Sequence, residues 1–324
     1  MAVQNTNGRN ANGQRGWERE RRETAYRAPQ PEKLSTRVIR GWVMLVAVLV
    51  LSGCTVARFG YEMLPWYASW QLDRHLSLDS TQRSLASERI DAIHAWHRQT
   101  QMPRYAALVE NGIRRLEGPI AAADIAAWRA QMFALWQEPA ERIAPDLADL
   151  ALTLRPAQID RLERRLADST AELRRKYLEG APAERLEGRI ERWQERMQWL
   201  LGDITAAQKT ELRRLASEQP SDEAAWLEER QSRNERLVRL LRRIEREKPS
   251  REQALAWSTA FLQGFWQSED PARARRIEAN AANGDRVAAA MINTASRSQR
   301  DTMRAKLSDI ERDVMRMISR GARP

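Results

Sequence analysis

The stretch that decides the fold is Leu186–Ile204, LEGRIERWQERMQWLLGDI. Its large apolar side chains recur at alternating spacings of four and three residues, at Leu186, Ile190, Trp193, Met197, Leu200 and Ile204. This spacing places them on one face of an α-helix, while charged side chains cover the other face. The pattern predicts an amphipathic helix that packs against other helices.

The same periodicity returns in other parts of the chain. Met303–Met317 repeats it, and Ile159–Tyr177 follows it with one gap. After residue 54 the chain is dominated by Ala, Leu, Arg, Glu and Gln, which favour helix, and no segment alternates apolar and polar residues as a strand does. We therefore expect an all-α fold, a multi-helix bundle of roughly ten to twelve amphipathic helices.

Capping signals divide this helical region into elements. Asp79-x-x-Gln82 and Thr205-x-x-Gln208 each place a capping side chain three residues before a Gln, the pattern of a capping box. Near the end of the chain we place the last two helices at 271–282 and 285–319.

Composition excludes several classes of protein. The 324 residues carry a net charge of +10, but residues 1–53 hold nine basic and four acidic residues, so half of that charge (9 − 4 = +5) precedes the helical region. The remaining charge is modest, and we expect no nucleic-acid partner. The single Cys excludes a disulfide framework, and a mean hydropathy of −0.67 excludes a polytopic membrane protein.

The N-terminal region has the organisation of an export signal. Residues 1–37 show no apolar period and are predicted to be a disordered extension. The apolar run 42–51, WVMLVAVLVL, would rise only about 15 Å as a helix, half of a bilayer core. We interpret 38–53 as a signal peptide and 54–324 as a helical periplasmic body.

Directly behind this run stand Leu51, Ser52, Gly53 and Cys54. The four residues resemble the lipobox of bacterial lipoproteins, in which the Cys takes a diacylglyceryl thioether and becomes the new N-terminus. The resemblance implies Leu51, Ser52 and Gly53 as the signal-peptidase recognition residues, Cys54 as the lipidation site, and sorting by Thr55 to the outer membrane. The alternative is a buried structural Cys beside a short core helix.

The long segment before the apolar run is unusual for such a signal. A start codon assigned too far upstream would explain it, with Val38 as an alternative start.

Signals for catalysis or metal binding are weak. Asp91, His94 and His97 would share one helix face and are the best candidate for a metal site, but packed or exposed imidazoles are the simpler interpretation. The chain has no nucleophile elbow, phosphate-binding loop or dinucleotide fingerprint. We expect no enzyme, no metal and no cofactor; an enzyme would require His97 and Arg104 in one cleft with a carboxylate.

Apart from Trp17 and Trp42, the twelve Trp residues lie in the helical body. Core packing is their most common role, and a ligand groove lined by them is the alternative. Trp66 and Trp70 closely follow Cys54 and are predicted either to lie at the membrane interface or to pack the first helix.

Two groups of residues together resemble a known family. One group comprises Trp66, Trp70, Asp73 and the 78–82 segment; the other comprises Trp96, His97, Arg98, Pro103, Arg104 and Tyr105. The chain resembles, over residues 51–250, an uncharacterised family of proteobacterial helical lipoproteins defined only as a domain of unknown function. The resemblance implies a helical fold and a cell-envelope location, and no activity.

The second group has a structural interpretation. Pro103 is predicted to end or kink a helix near Met102. Arg98 and Arg104 would then bind the freed carbonyls, and Trp96 and Tyr105 would pack the corner.

A weaker similarity concerns three segments ending in Gln82, Gln158 and Gln208. They are similar to the L-T-x-x-Q motifs of small periplasmic stress chaperones, although capping boxes alone produce the same pattern.

The sequence thus favours a lipid-anchored envelope protein with a binding or structural role and a protein partner, in an oligomeric state that the sequence does not indicate. A chaperone-like binder of unfolded clients and a metal- or His-dependent enzyme are the alternatives.

Overall fold

The computed structural model describes residues 59–218 and 222–321, which belong to one unit of the chain, residues 53–324. They form twelve α-helices: α1 Leu64–Leu76, α2 Ser80–Thr100, α3 Met102–Arg115, α4 Ala122–Ala134, α5 Gln137–Thr153, α6 Pro156–Leu178, α7 Pro182–Leu201, α8 Ala206–Glu218, α9 Glu223–Glu247, α10 Arg251–Gln263, α11 Pro271–Asn293 and α12 Arg297–Gly321. These two ranges contain no strand. The all-α prediction and the expected number of helices are confirmed.

The larger of two main cores joins helices from the beginning and the middle of the chain. It collects buried side chains from α1, α2, α5, α6, α9 and α10, among them Ala148, Ile159 and Ile244. The most extensive helix pairs at this core are α5 with α10 and α6 with α9. Ile159 and Ile244 are almost completely removed from solvent, so the apolar stripes of α6 and α9 face each other.

The second core is built around the apolar stripe of Leu186–Ile204. Met197, Leu201 and Ile204 of the α7 region pack with side chains of α8, α11 and α12. A smaller cluster joins Met102 and Ala106 of α3 to Val314 and Met317 of α12. No helix within the described ranges has the length and apolar composition required to cross a membrane.

Four helix N-termini meet in two matching pairs. Gln82 and Gln158 begin α2 and α6, and each side-chain amide donates to the other side chain's oxygen, at 3.2 and 2.7 Å. Gln208 and Gln299 begin α8 and α12 and are bonded in the same way, at 2.9 and 3.0 Å. We call these pairs the first and second glutamine clasp.

The two clasps also share their backbone partners. Gln82 donates to the carbonyl of Thr153 at the end of α5, and Gln208 donates to the carbonyl of Thr294 just after α11. Gln158 donates to the Ser77 carbonyl in the loop before α2, and Gln299 donates to the Asp203 carbonyl in the loop before α8. The equivalence indicates an internal structural repeat that relates α1–α6 to α7–α12.

The position of the last helix break differs from the prediction. A break between 282 and 285 was expected, but α11 continues through Gly284 to Asn293. The actual break is followed by Ser296, whose hydroxyl accepts from the Gln299 amide N–H at 3.2 Å. Val287 and Met291 explain the continuation, because both are buried in the second core and need unbroken helix to reach it.

Candidate functional site

The corner between α2 and α3 holds the residues that carried the family resemblance. α2 ends at Thr100, Gln101 joins the two helices, and Pro103 lies in the first turn of α3, so the predicted boundary is confirmed. Pro is tolerated there because the first-turn N–H groups have no partner within the helix. Gln101 is completely buried, and its amide donates to Glu138 at 2.6 Å.

Two imidazoles of α2 hold the segment that precedes α1. The Tyr61 hydroxyl lies 3.0 Å from His97 Nδ1, and His94 Nε2 lies 3.1 Å from the Tyr61 carbonyl oxygen. The Tyr61 and His94 ring centroids are 4.4 Å apart. Because Tyr61 is only seven residues after Cys54, this contact attaches the start of the helical body directly to α2.

Burial determines the charge state of this cluster. It lowers the pKa of His94, with the nearby Arg98 guanidinium contributing, and it lowers the pKa of His97, with His94 contributing. Burial also raises the pKa of the Tyr61 and Tyr105 hydroxyls. Both imidazoles are therefore favoured in the neutral form, in which each has one nitrogen to donate and one to accept.

The arginines of the corner bind carboxylates and not the freed carbonyls that the sequence had suggested. Arg98 donates to Glu62 at 2.8 Å, and Arg104 donates to Glu138 at 2.7 Å. A carboxylate offers a guanidinium a charged acceptor, which a carbonyl does not. Tyr105 packs the corner as expected, with its ring 5.5 Å from that of His97, while Trp96 is half-buried in α2.

The two side chains that the enzyme alternative names, His97 and Arg104, are each bonded to another side chain at the corner. His97 is hydrogen-bonded to Tyr61, and Arg104 donates to Glu138. Within the described ranges, no three His, Cys, Asp or Glu side chains are grouped as metal ligands. The buried carboxylate of Glu229 is bound to Arg236 and Arg273, as expected for a structural ion pair.

The first helix exposes the two tryptophans of the first motif group. Trp66 and Trp70 are stacked, with ring centroids 6.3 Å apart and an interplanar angle of 8°. The Arg74 guanidinium lies 5.3 Å from the centre of the Trp70 ring. Asp73 has a structural role, because its carboxylate accepts from the Leu78 amide N–H at 3.0 Å and fixes the turn into α2.

A cleft whose position the sequence did not indicate lies among α6, α7, α9 and α11. Its volume is about 320 Å³, and its aromatic walls are Tyr177, Trp193 and Trp226. Arg189 and Arg192 each lie 3.5 Å from a Glu223 oxygen, and the Arg192 guanidinium stacks 5.0 Å from the Tyr177 ring. The only local signal was the Arg-x-x-Arg-Trp spacing in α7, which also fits an ordinary solvated helix face.

Part of the predicted site lies outside the described residues. This applies to the lipidation residue Cys54 and to Leu51, Ser52 and Gly53, as well as to the extension 1–37 and the rest of the predicted signal peptide.

The α2–α3 corner and the first glutamine clasp lie in a part of the chain that matches a family model. A family model described as "Family of unknown function (DUF6279)" matches residues 74–270. The chain belongs to the DUF6279 family. This confirms the expected membership of an uncharacterised family. Comparison with curated proteins and with solved structures gives no significant match.

The DUF6279 match includes some of the described features and not others. It contains the α2–α3 corner, the first glutamine clasp and Gln208 of the second. It begins after Trp66, Trp70 and Asp73, and it ends before α11 and α12. The second clasp and the arginine-lined cleft therefore extend beyond the matched residues.

Proposed function

We propose that this DUF6279 protein is a bacterial lipoprotein, attached to the outer membrane through Cys54, whose helical body faces the periplasm and binds a protein partner without catalysis. The observation that carries the proposal is the segment Leu51-Ser52-Gly53-Cys54 directly behind the apolar run 42–51. Small residues before the Cys allow peptidase access, and the only thiol of the chain stands at the position that lipidation requires.

The α2 contacts support an anchoring role for the start of the body. Tyr61 and Glu62 follow Cys54 within eight residues, and both are held by α2 through His94, His97 and Arg98. A tether that ends in such contacts limits the reorientation of the body relative to its attachment point.

Exposed aromatic side chains support a binding role. Phe133 and Trp266 are 47% and 49% exposed, and their ring centroids lie 5.6 Å apart. Arg233 stacks on Trp266 at 5.0 Å, and burial lowers the pKa of its guanidinium. Aromatic and arginine side chains are enriched where protein partners bind.

The chaperone alternative receives no such support from its own motif. The Gln side chains of the three similar segments, Gln82, Gln158 and Gln208, are each at most 5% exposed and are bonded within the clasps. They serve the fold and are not available to a client protein.

Acyl labelling of the full chain in a Gram-negative host tests the anchor. Wild type should incorporate a clickable fatty acid and fractionate with outer membranes, whereas Cys54→Ala should incorporate none, since no other thiol is present. An inhibitor of lipoprotein signal peptidase should lead to accumulation of the unprocessed form. Equal labelling of wild type and Cys54→Ala would refute lipidation at this residue.

Crosslinking in intact cells tests the binding role. Photo-crosslinkers placed at Phe133 and Trp266 should each trap the same envelope protein, while a crosslinker at the exposed Met315 on α12 should not trap it. Trapping of different proteins at the two aromatic positions would contradict a defined partner.

A further inference from the structure

The beginning of the described chain exposes a group of large apolar side chains on and just before α1. Within twelve residues, five of them are 44–64% exposed: Phe59, Leu64, Trp66, Tyr67 and Trp70. Single exposed apolar residues are common on protein surfaces, but a contiguous group marks a surface that contacts something other than water. We call these five residues the α1 aromatic face.

The rest of α1 explains why these rings are turned outward. Leu76 is buried in the larger core and Leu72 packs against it. Tyr61 is turned toward α2 and is held there by His94 and His97. The aromatic face is therefore the side of this segment that has no packing position in the body.

We propose that the α1 aromatic face lies in the headgroup region of the membrane to which Cys54 is attached, an inference that rests on the proposed lipidation. Phe59 is the fifth residue after Cys54, so the chain between their Cα atoms spans at most about 18 Å. A lipidated Cys54 stands at the boundary between acyl chains and headgroups. The tether thus keeps the aromatic face within reach of the lipid surface at all times.

The chemistry of the face suits lipid headgroups. Trp and Tyr rings carry an apolar body and a polar edge, and they are enriched at membrane–water interfaces. Arg74 stacks on Trp70 at the same surface and adds a positive charge that attracts anionic lipids. With 13 residues, α1 is about 20 Å long, which suits a helix lying along the surface and is too short for one crossing it.

Quenching of tryptophan fluorescence by brominated lipids tests the proposal on the full, lipidated chain. The protein is reconstituted into vesicles of phosphatidylethanolamine and phosphatidylglycerol with brominated acyl chains. The test variant is Trp66→Phe with Trp70→Phe. The matched control is Trp199→Phe with Trp226→Phe, because those rings are 58% and 42% exposed, close to the 62% and 44% of the test pair.

Removing Trp66 and Trp70 should reduce the quenched fraction of the emission at least about twofold, because interfacial rings lie nearest to the brominated chains. The control variant should retain the quenching of wild type. Equal quenching in the two variants would overturn the inference. A second result would also overturn it: in detergent without vesicles, a concentration-dependent blue shift of the emission that wild type shows and the Trp66→Phe, Trp70→Phe variant does not. Such a shift would assign the face to a second copy of the chain.

Acyl labelling of the same preparations separates this inference from the proposed function. Labelled protein with equal quenching in both variants would leave lipidation standing and refute the membrane contact. Unlabelled protein would refute both.

Discussion

The first glutamine clasp gives a quantitative prediction for the substitution Gln158→Ala. The Gln158 side chain donates to the Ser77 carbonyl at 3.2 Å and to the Gln82 oxygen at 2.7 Å. It accepts from the Gln82 amide at 3.2 Å and from the Arg155 N–H at 3.0 Å. Each of these four bonds contributes about 0.5–1.5 kcal/mol net, so the loss of all of them should cost about 2–6 kcal/mol.

A double-mutant cycle isolates the bonds between the two side chains. Gln82→Ala and Gln158→Ala remove the same two mutual bonds, so the free energy cost of the double variant should be about 1–3 kcal/mol below the sum of the single costs. The cross-clasp pair Gln82→Ala with Gln208→Ala shares no hydrogen-bond partner and should be additive within about 0.5 kcal/mol.

Guanidinium denaturation of the full chain, followed by far-UV circular dichroism, measures these free energies of unfolding. A coupling energy within about 0.3 kcal/mol of zero for Gln82 with Gln158 would refute the reciprocal bonding. A cross-clasp coupling as large as the coupling within the clasp would refute the separation of the two networks.

Two further predictions concern the imidazoles and a helical glycine. Burial lowers the folded-state pKa of His94 and His97 below 6.5, so their contribution to stability should be complete above pH 6.5 and lost as the pH falls through the folded pKa values. Melting temperatures between about pH 7.5 and about pH 5 should show this decline, and His94→Gln with His97→Gln should reduce its slope; an unchanged slope would contradict the assignment. Gly284→Ala should stabilise α11 by about 0.5–1 kcal/mol through helix propensity, because the new Cβ would lie 3.8 Å from Trp193, an ordinary contact. Gly202→Ala is the control and should destabilise the protein at its φ of 81°; destabilisation by both substitutions in denaturant would refute the argument for residue 284.

The helices were predictable because their signals are local. The stripe from Leu186 to Ile204 needs only its own spacing, and it became α7 and the start of the second core. The capping boxes at Asp79 and Thr205 are equally local, and both side chains cap their helices. These features depend on neighbours within one or two turns of the chain.

Partner choice between helices was not predictable. Any amphipathic stripe fits many others, and nothing local selects α10 for α5 or α12 for α3. The contact of Tyr61 with His97 likewise joins residues that are 36 positions apart. The motif around His97 could be recognised in the sequence, but its partners Tyr61 and Glu138 could not.

The second clasp was missed for a specific reason. Three of the four clasp glutamines belong to segments that begin with Leu78, Leu154 or Ile204. The segment that ends in Gln299 begins with Ala295, so its apolar signal is weak. Asn283 and Gly284 together favour a helix end more strongly than the residues around Ser296 do. Packing of the helix against the second core overrides this preference, and α11 continues. The equivalence of the two clasps follows from the hydrogen-bond partners of Gln82 and Gln208 in the folded protein. The sequence alone does not show it.

The small cluster at α3 has a consequence for biosynthesis. Tyr61 stands near the start of the body, yet it packs with Met102, Val314 and Met317, and the last two lie on the final helix. A chain that emerges from its N-terminus first must keep Met102 exposed until almost the whole sequence has been made. The N-terminal end of the helical body therefore reaches its final packing only after α12 has been synthesised.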